Sequence, residues 1–250
     1  MNLTSDIASY VSELRYVACR EHDAAALVVE PLVSGAGGML MYPAWVLREV
    51  KRISATWGVL LIADEVMTGW GRTGMLFACS HAEVSPDITC CSKGPTGGSL
   101  PLAVSLCSAE LFEAHHSKAR ARTFFHSISY AANPVACAAS KASIDLGQAD
   151  DWNKRAASIS PMREIKRLRC DERFENVRRI GTITALELRA RDAGYHARAG
   201  PKIGAFFLEV AICCFVRSEN TIYVMPPYCV TAEGLGEIYG AIQDAPEVVG

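Results

Sequence analysis

Two runs of residues in this chain end on groups that could do chemistry together. Gly58-Val59-Leu60-Leu61-Ile62-Ala63 is a continuous apolar run of the buried-strand kind, and it ends on the carboxylates Asp64 and Glu65. Asp87 to Ser92 is a second, shorter β-prone run that delivers Lys93 into Gly94-Pro95-Thr96-Gly97-Gly98. A lysine amine forms a Schiff base with an aldehyde, and a carboxylate pairs with a pyridinium nitrogen so that the ring can act as an electron sink. An acid at one strand end and a lysine just past the next is what a pyridoxal 5'-phosphate enzyme needs. Taken alone, Lys93 reads as a surface lysine in a glycine-rich loop; its placement relative to Asp64 singles it out. A buried strand ending in two acids also demands a partner for the charge, because an unpaired buried carboxylate is costly. A pyridinium N–H supplies that partner for Asp64, while Glu65 is expected to be structural or ion-paired.

The elements that must position these groups follow from hydrophobic patterning. Ala24 to Glu30 reads as a buried strand, Gly35 to Gly38 as a loop, and Pro43-Ala44 as the start of a helix. Val46, Val50, Ile53 and Trp57 fall on one face of that helix at helical spacing. Strand, helix and strand in alternation indicate parallel βαβ units with right-handed crossovers, whose chemistry gathers at the carboxyl ends of the strands. Leu100 to Ser108 reads as a further strand and Ala109 to His116 as a helix. Asn133-Pro134 is an N-cap and first-turn pair for a helix to Leu146, and a third helix is expected over Asp151 to Leu168. Beyond that the texture changes. Strands are expected at Val177–Ile180, Thr182–Leu188 and Thr221–Met225, and helices at Pro201–Phe215 and Ala232–Ile242. The expected division is a larger α/β domain over 1–150 and a smaller α+β domain over 151–250, with residues 1–23 forming one short helix along Ile7, Val11 and Leu14.

Composition narrows the function classes. A chain of 250 residues with net charge -2 offers no electrostatic case for nucleic acid or an anionic membrane surface. The opening residues carry neither the basic nor the apolar region of a secretory signal, and the late apolar stretch 203–216 is too short to span a bilayer. Ten cysteines form no C-x-x-C and lie at no ligand spacing with His, so no metal site is expected. Most sit in apolar runs as small buried hydrophobes, which fits a reduced, cytoplasmic compartment. Gly69-Trp70-Gly71-Arg72-Thr73-Gly74 formally matches the dinucleotide fingerprint, but it lacks the strand-to-helix frame that fingerprint requires.

Leu61 to Gly74 resembles the aspartate segment of the class III (ω-type) aminotransferases, and Ser92 to Gly98 resembles their lysine loop. Leu76 to Glu83, Asn133 to Ala139 and Tyr223 to Tyr228 are similar to the branch of that family that acts in biotin synthesis. The resemblance runs from about Ala24 to near the C-terminus. It implies fold type I, with an incomplete, mainly parallel large domain followed by a small α+β domain. It further implies pyridoxal 5'-phosphate held on Lys93, Asp64 at the ring nitrogen and Glu30 in the hydrogen-bond network around the ring. Ser129 then reaches the cofactor phosphate of a partner subunit, and Arg217 grips the carboxylate of a keto acid through a bidentate guanidinium. Ala131-Ala132 departs from the commoner family pattern beside Ser129.

By the same resemblance the amino donor is S-adenosylmethionine and the acceptor 8-amino-7-oxononanoate, with two copies forming a homodimer. Other ω-aminotransferases, using ornithine, 4-aminobutyrate or an amine donor, are the alternative within enzymes. Family members carry a phosphate-binding Gly-Ser loop and a ring-stacking aromatic residue ahead of the position of Ala24, and neither is found here. The sequence is therefore expected to be a fragment, ahead of a chain completed by a partner or a degenerate homologue, and a non-catalytic partner subunit is the alternative from a different class. Sheet edges and apolar faces that the rest of the fold would cover are expected to be exposed.

Overall fold

The computed structural model describes residues 9, 11–13, 24–126, 128–159, 161–189, 196–212, 214–217 and 220–248. Along them run β1 (Ala26–Val29), β2 (Val33–Ser34), β3 (Leu40–Met41), α1 (Ala44–Thr56), β4 (Leu60–Asp64), β5 (Ile88–Ser92), β6 (Ala103–Cys107), α2 (Ala109–His115) and α3 (Pro134–Ala149). There follow α4 (Trp152–Ser158), α5 (Met162–Cys170), β7 (Phe174–Ile180), β8 (Ile183–Leu188), α6 (His196–Glu209), β9 (Phe215–Arg217), β10 (Thr221–Val224) and α7 (Ala232–Asp244). The chain divides into two compact units. One comprises residues 1–32, 42–70 and 75–151, and the other residues 33–41, 71–74 and 152–250.

The first unit is built on a sheet of order β1-β4-β5-β6. β1 pairs parallel with β4, and β4 with β5, so the expected mainly parallel sheet is present. β6 runs antiparallel to β5, a direction that the apolar run at 100–108 does not encode. α1 covers one face: Val46, Val50, Ile53 and Leu61 are buried together against Leu27 and Val29. Trp57 does not join them. The helix ends at Thr56, Trp57 takes the non-helical dihedrals φ -103, ψ 6, and the residue is 43% exposed. Asp87 ties helix to sheet, accepting from Lys51 Nζ at 2.8 Å and from the Leu61 N–H at 2.7 Å. Elsewhere Val28 on β1 and Leu106 on β6 are exposed, as are Phe112, Phe124, Phe125 and Tyr130. Of the short helix read over 1–23, only residues 9 and 11–13 are described; they are helical and bury Val11, while Ile7 and Leu14 lie outside the described residues.

The second unit holds an antiparallel sheet of order β7-β8-β10-β9. Its core gathers Ile165 and Leu168 of α5, Leu186 and Leu188 of β8, Ile203 and Phe207 of α6, Ile222 of β10 and Ile242 of α7. Leu186 is fully buried there, so Leu186→Ala should cost about 2–5 kcal/mol through lost transfer energy and the cavity left behind. Urea unfolding followed by circular dichroism measures this; a loss below about 1 kcal/mol would mean that the core repacks around the gap.

Three boundaries differ from the patterning. The helix expected over 151–168 is two helices, because Pro161 has no N–H to donate into a continuing helix. α6 begins five residues before Pro201 and stops at Glu209, since Phe215 and Val216 are drawn into a ladder with Tyr223 and Ile222. β7 starts at Phe174, earlier than the pattern indicates, because a bulge between Glu175 and Arg178 breaks its alternation. Cysteine burial also differs. Among the described cysteines only Cys79 and Cys91 are buried, whereas Cys107, Cys137, Cys170 and Cys229 are exposed. Cys107 is open because β6 is a sheet edge, which an apolar run in sequence does not reveal.

Candidate active site

The register of the parallel strands assembles the first group of residues. Asp64 is opposite Cys90, and the Glu65 N–H continues the ladder onto the Cys90 carbonyl at 2.8 Å. Lys93 leaves β5 three residues further on, so acid and lysine emerge from neighbouring strands at one carboxyl edge. Val29 is opposite Ala63, which brings Glu30 to the same edge. Asp64 is half-buried, and its Oδ1 accepts the Val66 N–H at 3.0 Å, which orients the carboxylate from its own turn. The Glu30 carbonyl accepts the Tyr42 hydroxyl at 2.6 Å.

Glu65 is structural, and its carboxylate is fully enclosed. It accepts from Thr68 Oγ1 at 2.6 Å, the Ala78 N–H at 3.0 Å and the Cys79 N–H at 2.9 Å. Backbone donors at the start of the short helix 78–82 thus take the place of a cation. Burial raises the thiol pKa of Cys79 well above its ordinary value, and the Glu65 charge adds to this; Cys91 is pushed up to about 11 for the same two reasons. Both thiols are therefore protonated packing groups rather than nucleophiles. Between β4 and that helix the segment 66–74 is a succession of turns, not the strand-to-helix frame of a dinucleotide site.

Lys93 is exposed, and its backbone is at φ 60, ψ -69, the strained γ-turn region. Side chains tie down the turn around it. Ser92 Oγ donates to the Leu102 carbonyl at 2.9 Å, Thr96 Oγ1 to the Leu100 carbonyl at 2.6 Å, and Ser143 Oγ of α3 to the Gly94 carbonyl at 3.3 Å. Trp70 packs against Gly94 and meets Phe77 edge-on at 6.0 Å. Patterning singles out neither Trp70 nor Ser143, since each acts across a long sequence gap.

Ser129 occupies an exposed turn ahead of α3, outside the strands that carry the other three residues; its neighbour Ser127 lies outside the described residues. Asn133 caps α3 as its type predicts, Oδ1 accepting the Val135 and Ala136 N–H groups at 3.0 and 3.3 Å. Arg217 closes β9 with its backbone opposite Thr221, and its side chain lies outside the described residues. In the same unit Arg72, not singled out in sequence, stacks over the Tyr228 ring at 4.8 Å and donates to the Pro226 carbonyl at 2.5 Å. Its signal is the arginine within Gly71-Arg72-Thr73-Gly74, whose first glycine is at φ +82 with the Tyr228 hydroxyl beside it.

The mainly parallel sheet with a lysine and an acid at adjacent carboxyl ends, and the four-stranded antiparallel unit, correspond to part of the fold-type-I class, that of the pyridoxal-phosphate transferases. The profile of the family Aminotransferase class-III matches residues 2–245, and the chain belongs to that family. It is 38% identical to the adenosylmethionine-8-amino-7-oxononanoate aminotransferase of Synechococcus elongatus over 224 residues, 89% of this chain and 52% of that protein. Against the enzyme of the same name from Mycobacterium leprae it is 38% identical over 229 residues, 90% of this chain and 50% of the relative. Among solved structures, an (S)-enantioselective omega-transaminase from Thermomicrobium roseum superposes with a TM-score of 0.87 at 31% identity, over 97% of this chain and 55% of that one. The adenosylmethionine-8-amino-7-oxononanoate aminotransferase from Methanocaldococcus jannaschii gives 0.84 at 26%, over 95% and 57%. The chain spans about half the length of the curated relatives it matches.

Proposed function

We propose that this chain carries the lysine and ring-nitrogen half of a pyridoxal-phosphate-dependent aminotransferase. In this reading it transfers an amino group from S-adenosylmethionine to 8-amino-7-oxononanoate, giving 7,8-diaminononanoate for biotin synthesis. The observation that carries the reading is the parallel β4–β5 register, which sets Asp64 and Lys93 at neighbouring strand ends in a chain whose relatives bear that name. The residues fit one end of the cofactor. Asp64 offers a half-buried carboxylate with a further oxygen beyond the one bonded to Val66, and Lys93 offers an exposed amine on a turn held by its neighbours.

When bound, the cofactor supplies an electron sink. Lys93 would hold it, and the Lys93 amine, once free, would move a proton as general base and acid. Asp64 holds the proton on the ring nitrogen. Glu30 supports the network around the ring, Ser129 donates to the phosphate held by a second copy, and Arg217 receives the acceptor's carboxylate. A cytoplasmic homodimer, or assembly with a chain supplying the phosphate loop, belongs to the same reading and rests on the family resemblance. Among the described residues no helix is long and apolar enough to cross a membrane.

The test is a donor half-reaction on cofactor-loaded protein. S-adenosylmethionine should convert the visible band of the loaded lysine to the near-ultraviolet band of the aminated cofactor, while ornithine and 4-aminobutyrate leave it unchanged. The likeness to the Thermomicrobium roseum transaminase favours a second reading, an ω-aminotransferase with an amine donor, and conversion by a simple amine alone would select it. Conversion by none of these donors, in protein that loads, would indicate a non-catalytic partner subunit.

A further inference from the structure

We infer that Trp70 is a positioning residue for Lys93: it walls in Gly94 and so keeps the lysine turn from relaxing. This deepens the proposed function, resting on its reading of Lys93 as the cofactor's anchor. Gly94 is not required here by its own backbone, because it is outside the left-handed region that favours glycine. It is required by space. A Cβ on residue 94 would be 2.5 Å from Trp70 Cβ and 2.6 Å from Trp70 Cγ, closer than real carbon contacts come. Those two atoms are the rigid root of the side chain and cannot swing away as a flexible tip would. Trp70 is itself at φ 58 and followed by Gly71 at φ +82, so the wall stands on a tight turn of its own.

On the far side, the Gly94 carbonyl accepts the Ser143 hydroxyl at 3.3 Å and the Gly97 N–H at 2.9 Å. Gly94 is therefore held between Trp70 and α3, and Lys93, one residue earlier, is confined to its strained dihedrals. A strained residue persists only when its surroundings over-determine it. The wall needs only Cβ and Cγ, which phenylalanine retains and glycine lacks.

Amide exchange on the intact chain, without cofactor, reads the turn directly. In Trp70→Gly, whose backbone suits a left-handed position, exchange at Gly97 and Ser99 should rise about tenfold or more while the β4 amides stay protected. Trp70→Phe should leave the turn within about twofold of wild type. Gly94→Ala should loosen it in the wild-type background and add little once residue 70 is glycine, the non-additive signature of a direct contact. Borohydride fixing of pyridoxal phosphate on Lys93 should slow in the same order, and remain close to wild type in Trp70→Phe. Unchanged exchange in Trp70→Gly or in Gly94→Ala overturns the inference, as does a Trp70→Phe variant as loose as Trp70→Gly. If Trp70→Gly does not fold, Trp70→Phe and Gly94→Ala decide the matter. Wild-type protein that never fixes the cofactor refutes the functional reading, yet the exchange pattern still reports whether Trp70 holds the turn.

Discussion

In Lys93→Ala, borohydride fixes no pyridoxal phosphate on the protein, and the visible band of the bound cofactor is absent. The loss should be complete rather than graded, because the covalent link needs a primary amine and no other described lysine directly follows β4 or β5 in the chain. Lys51 on α1 is already paired with Asp87 at 2.8 Å, and Lys141 on α3 with Asp145 at 2.6 Å. The substitution should cost little stability, since the side chain is exposed and alanine relinquishes few contacts. Mass spectrometry of the reduced, digested protein is the readout. A label on the wild-type peptide containing Lys93 that disappears in the variant supports the assignment. An equal label on the variant would place the anchor elsewhere and remove the strongest argument for transamination. Asp64→Asn separates the second role, since loading should survive while the half-reaction slows by about two orders of magnitude or more, as when other preorganised electrostatic partners are removed.

Glu65→Ala should destabilise the first unit by about 3–5 kcal/mol, the largest stability effect expected near the site. Removing the carboxylate strands the Ala78 and Cys79 N–H groups and the Thr68 hydroxyl inside the protein, and each buried donor left alone costs about 1–3 kcal/mol. Glu65→Gln should fall between alanine and wild type, because one amide oxygen still accepts while its NH2 group confronts a donor. Three of the four tryptophans, Trp45, Trp57 and Trp70, belong to the first unit, so fluorescence during urea unfolding follows it. An alanine variant within about 0.5 kcal/mol of wild type would mean that water satisfies these donors and that the carboxylate is dispensable. The contrast with its neighbour is instructive: adjacent carboxylates at one strand end have separate tasks because one side chain faces the enclosed turn and the other the open edge.

Much of the site is legible in order along the chain. β4 reads as an unbroken apolar run, as strands of a parallel sheet do, and β5 as a shorter β-prone run, so the groups at their ends, Asp64 and Lys93, stand out from the order of residues alone. The stripe Val46, Val50 and Ile53 marks α1, and Asn133-Pro134 marks the start of α3, because caps and helical periodicity are local properties. The tertiary structure decides what depends on neighbours distant in sequence. Only strand pairing shows that β4 lies beside β5 in a register setting Asp64 opposite Cys90, and that β6 turns antiparallel to make an edge exposing Leu106 and Cys107. Only packing shows that Glu65 is fully enclosed by donors from 68, 78 and 79, or that Gly94 must be glycine because Trp70 stands against it. Periodicity and caps record how a segment meets its own backbone; register and close approach record how segments meet one another, and no single window of sequence contains both partners.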